Sequence, residues 1–403
     1  PQRAACAGTA QRQAGAGAQF GFKPGSGTGG ALFSIRRIQE LSKDSGQPLF
    51  AAFVDFRKAF DSVNREALWR VLAARGVSPK LLELMRDLYA GCEACVQVNG
   101  GVSSWFPMAT GVRQGCPMSP TLFNTFFDFL TRQVEERCAA LGVGGVRIAF
   151  RMHEGRLQQA PGPGDSLLSL LMLLYADDLV LLADSEAALQ TALQQLEATA
   201  SEWGMQLNAA KTEAVAFGLQ QEQRAQLRPL QLAGGQVGWV DSFIYLGSLQ
   251  SASGQQEQEI SRRLSLAGWA FNRLGTVLLK GRGCSTSFKS QLLKTLVLPI
   301  LTYGAPESWA PTQAQLHRLD VFGHSCCRRM LGVRRMEHVS NEQVESRTRV
   351  PAISAIIRKL RARWVGHVAR MHDTALPKQL LFATRVVPAQ RDGGGGGGAS
   401  QGL

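Results

Sequence analysis

The sequence has few of the features that mark secreted and membrane proteins. Its eight cysteines are scattered over 403 residues and predict no disulfide framework, so we expect a reducing compartment. The longest apolar run, residues 167–176, is ended by two aspartates and is too short to span a bilayer. The first stretch, rich in alanine, glycine and glutamine, has no apolar segment of the kind a secretory signal needs. We expect an intracellular protein without a membrane segment.

Several familiar sequence patterns are also missing. There is no Gly-x-Ser-x-Gly elbow, which argues against a hydrolase with an activated serine. Cys92 and Cys95 form one Cys-x-x-Cys without a second pair, and the histidines and cysteines between residues 324 and 338 lack zinc-knuckle spacing. No internal repeat has a solenoid or propeller period. Structural zinc stays open but is disfavoured.

Basic residues dominate the charge. Lys and Arg number 44 against 31 Asp and Glu, which gives a net charge of +13. This balance favours a polyanionic partner, and a nucleic acid is favoured over an acidic membrane surface. Because the first residue is Pro1 and not methionine, we interpret the chain as a fragment of a longer product.

Strand-like and helix-like segments alternate along the first part of the chain, which predicts an α+β fold. Residues 51–54 form a buried strand, and residues 171–182 predict a hairpin that turns at Asp177 and Asp178. Helix starts are predicted at Asn64, Ser78, Ser119 and Ser185. From about residue 257 the pattern is helical, with one apolar stripe formed by Leu292, Leu293, Leu296 and Ile300.

Three aspartates stand where buried strands end. Pairing the strand before Asp55 with the hairpin of Asp177 and Asp178 would bring three carboxylates to one sheet edge. Such a cluster is unfavourable unless cations neutralise it, because the carboxylates repel one another and burial costs several kcal/mol each. Two Mg²⁺ ions about 4 Å apart, or Mn²⁺ as the alternative, would activate a 3′-hydroxyl and stabilise leaving pyrophosphate. The pattern favours phosphoryl transfer.

Each aspartate alone also has a plainer interpretation. Asp55 could cap a strand end, and adjacent aspartates are common turn formers. The apolar surroundings and the glycine-containing loop of residues 111–120, which lets backbone approach a ligand, favour the metal-site interpretation. A metal-dependent nuclease would use the same carboxylates, and only the order of hairpin and loop favours a polymerase over it.

Three segments in order resemble motifs A, B and C of LINE-type (non-LTR) retrotransposon reverse transcriptases. They are FVDFRKAFDSV at 53–63, GVRQGCPMSPTLFN at 111–124 and YADD at 175–178. Further matches are QFGFKPG at 19–25 (late fingers), WGMQLN at 203–208 with Lys211 (motif D), FIYLG at 243–247 (motif E), LTYG at 301–304 and RWVGHV at 363–368. The resemblance covers about residues 19–372, and group II intron enzymes match less well.

The resemblance implies roles for individual residues. Asp55, Asp177 and Asp178 would hold the metal ions together with the backbone carbonyl of Phe56. Lys211 would protonate the leaving pyrophosphate. The nucleotide pocket would be formed by Phe56, Phe60, Gln114, Gly115, Tyr175 and Ala176, and the primer grip by Tyr245, Leu246 and Gly247.

Some of these residues keep a second interpretation. Phe60 would exclude a sugar 2′-hydroxyl, a role that is compatible with ordinary core packing. Gln114 could be a polar loop residue, Lys211 an exposed lysine, and Asp61, which also matches motif A, a local cap.

A basic segment near the C-terminus gives a physical reason for duplex binding. A helix here could pack its apolar side and offer its cations to phosphates. The cations are Arg358, Lys359, Arg361, Arg363 and Arg370. A solvated basic face is the alternative, and a second cluster at Arg328, Arg329, Arg334 and Arg335 favours a functional surface.

The resemblance implies a right-hand polymerase that copies an RNA template onto a DNA primer from deoxynucleoside triphosphates. We divide the chain into a disordered stretch (1–18), partial fingers and an antiparallel palm with helices (19–250), a helical thumb with the basic region (251–384) and a disordered glycine-rich tail (385–403). Its place of action would be the nucleus. The early fingers motifs belong upstream of Phe20 and no endonuclease is recognisable, so a catalytically inactive fragment or repurposed nucleic-acid-binding module is the alternative.

Overall fold

The computed structural model describes residues 12–13, 18–153, 156–158, 166–275 and 284–386. The strands are β1 (Arg12–Gln13), β2 (Leu49–Val54), β3 (Glu93–Ala94), β4 (Gln97–Val98), β5 (Gly101–Val102), β6 (Phe106–Pro107), β7 (Val146–His153), β8 (Arg156–Gln158), β9 (Ser166–Leu170), β10 (Met172–Tyr175), β11 (Asp178–Ala183), β12 (Glu213–Phe217), β13 (Leu230–Leu232), β14 (Gly235–Val237), β15 (Ser242–Tyr245), β16 (Ser248–Ser251) and β17 (Thr384–Arg385). The helices are α1 (Thr28–Asp44), α2 (Ala59–Ser62), α3 (Arg65–Ala74), α4 (Pro79–Tyr89), α5 (Ser119–Ala140), α6 (Glu186–Glu202), α7 (Gln221–Ala225), α8 (Glu257–Arg273), α9 (Thr286–Leu292), α10 (Leu298–Leu301), α11 (Ala305–Ser308), α12 (Gln313–Leu331), α13 (Asn341–Thr348), α14 (Ile353–Ala369) and α15 (Leu376–Phe382).

Strand β2 is a central strand of the four-stranded sheet that carries the candidate site. The order is β10-β11-β2-β12, and each neighbouring pair is antiparallel. Side chains alternate between two cores, so that Phe50 and Val54 face helices α3 to α6 while Ala51 and Phe53 face the opposite side. Because both faces are covered, every residue of β2 is buried, as the apolar run predicted.

Local capping explains where the helices on one face of this sheet begin. The Asn64 side chain accepts a hydrogen bond from the Ala67 amide at 3.0 Å, and Ser185 accepts one from the Ala188 amide at 3.2 Å. Pro79 stands in the first turn of α4 and Pro120 in that of α5, where no backbone donor is lost. All four predicted helix starts are therefore confirmed.

A second sheet lies on the other face, in the order β1-β9-β7-β17 with β8 beside β7. Only Leu171 separates β9 from β10, so the chain passes directly from this sheet into the first one. The predicted disordered stretch is wrong at its end, because Ala18 is buried and its carbonyl accepts a hydrogen bond from the Leu174 amide at 3.0 Å. Residues 1–11 and 14–17 of that stretch lie outside the described residues.

Helices between α8 and α14 enclose a third core, which includes Ile260, Phe271 and Leu319. The predicted stripe on residues 292–300 is wrong at Leu296, which is 47% exposed. The cause is a π-helical stretch, Leu293–Val297, whose wider turns shift the side chains and bury Val297 instead. Periodicity at 3.6 residues per turn could not predict this shift.

The helical part does not end the fold, because the chain returns to the second sheet. Leu380 of α15 is buried in the core shared by α1, β7 and β9, and Thr384 of β17 pairs with Ala149 of β7. The predicted thumb at residues 251–384 therefore includes a segment that packs on the sheet side. Of the predicted tail, Arg385 belongs to β17, and residues 387–403 lie outside the described residues. Within the ranges given above, no helix is long and apolar enough to cross a membrane.

A buried ion pair ties α8 to the turn between β15 and β16. Arg263 Nε donates to Glu259 Oε1 at 2.6 Å, and both side chains are less than a tenth exposed. The second carboxylate oxygen of Glu259 accepts from the Leu249 amide at 3.1 Å, while Arg263 also donates to the Gly247 carbonyl. Tyr303 donates to the Leu246 carbonyl at 2.7 Å and lies under the Arg263 guanidinium. Side chains of the helical part thus hold the turn through hydrogen bonds to its backbone.

We predict that Arg263→Met lowers the free energy of unfolding by about 3 kcal/mol, because it removes the buried partner of Glu259 and leaves only the more exposed Arg262 to pair with it. Arg262→Met is the matched control, since Arg262 also contacts Glu259 at 3.1 Å but is more exposed. It should cost less than about 1 kcal/mol. Chemical denaturation of both variants measures the difference, and equal losses would contradict the assigned role of Arg263.

Candidate active site

The strand register brings the three predicted aspartates to one edge of the first sheet. Leu179 of β11 pairs with Val54 of β2, so the next residues in the same register, Asp178 and Asp55, stand opposite each other. Asp177 directly precedes Asp178 in the hairpin turn. The predicted convergence of separate chain segments is therefore observed in the backbone.

The segment after Asp55 is fixed by neighbouring backbone. The Asp55 carbonyl accepts from the Asn208 amide at 2.8 Å, and the Arg57 amide donates to the Gln206 carbonyl at 2.9 Å. Asn208 also donates from its side chain to Asp55 Oδ2 at 3.0 Å. The two backbone hydrogen bonds use the carbonyl of Asp55 and the amide of Arg57, so the Phe56 carbonyl takes part in neither of them. The Phe56 ring is buried.

The hairpin turn differs from the prediction by one residue. Tyr175 pairs with Asp178, so the turn residues are Ala176 and Asp177, and Asp178 already belongs to β11. Ala176 has a φ of 56°, a left-handed conformation that is uncommon for residues other than glycine. Ala176 is also buried, so its predicted contact with a nucleotide is not available to its side chain.

Two of the aspartates, Asp177 and Asp178, have a raised pKa. Burial is the largest cause of the raised pKa of Asp178, which reaches about 6, and the charges of Asp177 and Asp55 add to it. Burial also raises the pKa of Asp177, with a further contribution from Asp55. In the described part of the chain, neither Asp177 nor Asp178 forms an ion pair with a basic side chain. The edge therefore carries uncompensated negative charge, which a cation would stabilise.

The residues fit a divalent cation by charge and by donor type, since hard cations bind carboxylate and carbonyl oxygens. They do not form a closed cage: among the described residues, no group of three or more His, Cys, Asp or Glu side chains is arranged to hold a metal ion. The metal ligands Asp55, Asp177, Asp178 and the Phe56 carbonyl therefore stay a prediction.

A cleft of about 740 Å³ opens beside Asp55. Its walls include the basic residues Arg57, Lys58 and Lys211, together with Asp61. Lys211 is exposed on the loop before β12, within the same cleft as Asp55. This places positive side chains next to Asp55 and Asp61, where a polyanionic substrate would gain from the basic wall, while Asp177 and Asp178 do not line this cleft.

The loop before α5 is joined to the segment after Asp55, since the Val112 amide donates to the Phe60 carbonyl at 2.9 Å. Phe60 stacks on Phe123 with ring centroids 4.2 Å apart and is partly exposed. Gln114 and Gly115 are exposed in the loop. Gly111 is needed at the loop's start, since it has a φ of 85° and a methyl group there would lie 2.7 Å from the Asp61 Cα.

The remaining predicted residues fall on two other surfaces. Tyr245 is 3% exposed, so the prediction that this residue contacts nucleic acid directly is wrong. The centroid of its ring lies 5.6 Å from that of Phe53, below the turn. Leu246 and Gly247 form the turn itself. The four predicted cations of α14 are all exposed, and none of them forms an ion pair with a described residue. They are Arg358, Lys359, Arg361 and Arg363.

Several residues that position the site were not predicted from the sequence. Asn208 and Thr212 support Asp55, and Gln19 contacts the hairpin turn. Asn208 lies in the segment that resembles motif D, so the motif drew attention to it without indicating its contact. A lone glutamine or asparagine carries no signal of what its side chain binds.

A buried antiparallel sheet with carboxylates at one edge, helices on its faces and a helical part beyond it defines a right-hand polymerase. The chain belongs to the reverse transcriptase (RNA-dependent DNA polymerase) family, whose model matches residues 7–249, more than half of its length. This family generally uses divalent metal ions, and nucleic acids are the partners that its fold implies.

Named relatives come from mobile elements. A Pol polyprotein from the retrotransposable element R2 of Nasonia vitripennis is 27% identical over 53% of this chain and 19% of its own length. A putative transposon-derived protein of Caenorhabditis elegans is 30% identical over 51% of this chain and 74% of its own. The RNA-directed DNA polymerase from mobile element jockey of Drosophila melanogaster is 21% identical over 91% of this chain and 37% of its own.

Among solved structures, apo telomerase from Candida tropicalis is similar with a TM-score of 0.41 and 13% identity, covering 93% of this chain and 58% of that one. The chain spans less than half of the length of the R2 and jockey proteins that it matches. The family match confirms the resemblance to LINE-type reverse transcriptases, and the observed helices and antiparallel sheets confirm the α+β fold class.

We predict that Asp178→Asn stabilises the metal-free protein at pH 7.5. A carboxyl group whose pKa is raised by folding contributes stability below its unfolded pKa of about 4, and this contribution is lost as the pH rises through 6. The asparagine side chain cannot ionise, so this loss of stability does not occur in the variant. We put the loss at about 1 kcal/mol after solvent screening, or about 1–2 °C in melting temperature.

Thermal melts in EDTA at pH 4.5 and pH 7.5 measure this effect. At pH 4.5 the folded Asp178 carboxyl is mostly protonated, so the difference in melting temperature between the two proteins should be smaller than at pH 7.5, which serves as an internal control. A variant that melts below the original chain at pH 7.5 would show that Asp178 is not electrostatically unfavourable there.

Proposed function

We propose that the chain catalyses RNA-templated DNA synthesis, adding deoxynucleotides to the 3′-hydroxyl of a DNA primer. The single observation that carries this proposal is the register of β2 and β11, which sets Asp55 opposite Asp178. Asp55 also lines an open cleft with a basic wall. Membership of the reverse transcriptase family supports the same chemistry.

Two divalent ions, Mg²⁺ or Mn²⁺, would be held by Asp55, Asp177, Asp178 and the Phe56 carbonyl. When bound, such ions activate the attacking hydroxyl and stabilise the leaving pyrophosphate. The uncompensated charge at the sheet edge supports this assignment, because a dication offsets the mutual repulsion of the carboxylates.

The other residues would bind and orient the substrates. Lys211, exposed in the cleft beside Asp55, would donate a proton to the leaving pyrophosphate. Phe60, held in place by its stacking on Phe123, would stand against C2′ of the incoming sugar. Gln114, Gly115 and the exposed part of Tyr175 would line the rest of the nucleotide pocket.

The nucleic acids would lie along the turn of β15 and β16 and the basic face of α14. Leu246 and Gly247 would contact the primer, with Tyr245 supporting them from the core. Phosphates would be contacted by the exposed cations Arg358, Lys359, Arg361 and Arg363. The place of action would be the nucleus, where genomic DNA provides 3′ ends.

We predict that the 403-residue chain extends a DNA primer on an RNA template only when Mg²⁺ or Mn²⁺ is present. Asp177→Asn should lower the extension rate by about three orders of magnitude, because it removes one carboxylate from the metal site. Asp44→Asn, at an exposed position at the end of α1, is the matched control and should leave the rate unchanged.

Two other outcomes would replace this proposal. Duplex binding without any extension would make the chain a nucleic-acid-binding module. Degradation of the template by the unmodified chain, lost in Asp177→Asn, would make it a nuclease.

We predict that Phe60→Val admits ribonucleotides. Shortening this ring opens space at C2′, so the preference for deoxynucleotides should fall by about tenfold to a hundredfold, measured as the ratio of kcat/KM for dGTP and GTP. Unchanged kcat/KM for dGTP in the same variant is the control. If the ratio is unaltered, Phe60 is only a packing residue.

A further inference from the structure

We infer that Gln19 is a positioning residue for the aspartate turn, an inference that rests on the proposed function. Its side chain is 9% exposed and forms three hydrogen bonds around that turn. Gln19 Oε1 accepts from the Ala176 amide at 3.1 Å and from the Gly21 amide at 2.7 Å. Gln19 Nε2 donates to the Ala176 carbonyl at 3.4 Å.

Ala176 needs such a partner because of its place in the hairpin. The turn closes with the pair Tyr175 and Asp178, so the amide and carbonyl of Ala176 lie outside the strand pairing. Both groups are at a buried residue, where an unpaired backbone group is unfavourable. Its left-handed φ of 56° adds strain, which persists only where the surroundings fix the conformation. Gln19 supplies a partner for both groups.

The position of Gln19 is itself fixed by the sheet. The segment around it runs parallel to β10, with the Phe20 amide donating to the Leu174 carbonyl at 2.8 Å. Gly21 lies so close to the turn that a methyl group on it would overlap the Ala176 amide nitrogen. The Gln19 side chain therefore reaches the turn from a neighbouring segment that is held by backbone hydrogen bonds to β10.

Asn124 links the same segment to the loop side of the site. Its Nδ2 donates to the Gly21 carbonyl at 2.8 Å from helix α5. The neighbouring residue, Phe123, carries the ring on which Phe60 stacks. The nucleotide pocket and the aspartate turn are thus connected through two side-chain amides that both bind backbone.

The consequence for the reaction is specific. Without Gln19, the turn would lose the contacts that fix Ala176, and the carboxylates of Asp177 and Asp178 would be displaced from Asp55. A displacement of about 1 Å at reacting groups lowers the rate by about a hundredfold. Under the proposed function, the turn of β15 and β16 and the basic face of α14 hold the primer and template, so their binding should be unaffected.

The test compares Gln19→Met with Gln39→Met in the full chain. Gln39 is a matched control, since it is a buried glutamine whose amide donates to another residue, Gln250, at 3.2 Å. We expect Gln19→Met to lower kcat for primer extension by about tenfold to a hundredfold with the KM for primer-template unchanged. Gln39→Met should stay within about twofold of the original kcat.

Hydrogen exchange followed by mass spectrometry gives a readout independent of activity. In Gln19→Met, amides of residues 175–178 and Gly21 should exchange at least about tenfold faster while those of β2 stay protected. Unchanged exchange at the turn, or a loss of kcat matched by an equal loss in Gln39→Met, would overturn the inference. If no variant and no original chain extends a primer, yet exchange responds as expected, the proposed function fails and the positioning role stands.

Discussion

The site depends on the antiparallel register between β2 and β11, which holds like charges opposite each other. A slip of one residue would turn Phe50 and Val54 toward the wrong core, because side chains alternate between the faces of a strand. Both faces of β2 are buried, so the packing on each side opposes such a slip. The apolar cores thereby fix the distance between Asp55 and Asp178 against their mutual repulsion.

The side chains around the aspartate edge form hydrogen bonds to backbone groups more often than they form ion pairs. Asn208 binds both the backbone and a carboxylate oxygen of Asp55, Gln19 binds the turn, and Arg263 binds the Gly247 carbonyl. None of the basic residues that the structure describes neutralises Asp177 or Asp178. The fold therefore keeps an unfavourable charge where a cation would bind, which is a common relation between stability and function at active sites.

Local features of the fold were predictable from the sequence, and long-range ones were less so. The strand before Asp55 and the four helix starts depend on neighbouring residues, so apolar runs and capping side chains indicated them. The turn was misplaced by one residue because Ala176 adopts its left-handed conformation only with support from Gln19, far away in sequence. The π-helical stretch and the return of β17 to β7 likewise have no local signal.

The same distinction between local and long-range features applies to the candidate site. Asp55, Asp177 and Asp178 could be found because charged residues beside buried strands are unusual and because their order resembles a family. Gln19 and Asn124 could not be assigned contacts, since their partners are backbone groups, which look alike at every position of a sequence. A contact of this kind requires only one suitable side chain and a fixed backbone geometry. It follows that the geometry of the aspartate edge rests on few side chains, and that substitutions at those few should affect the rate more than the stability.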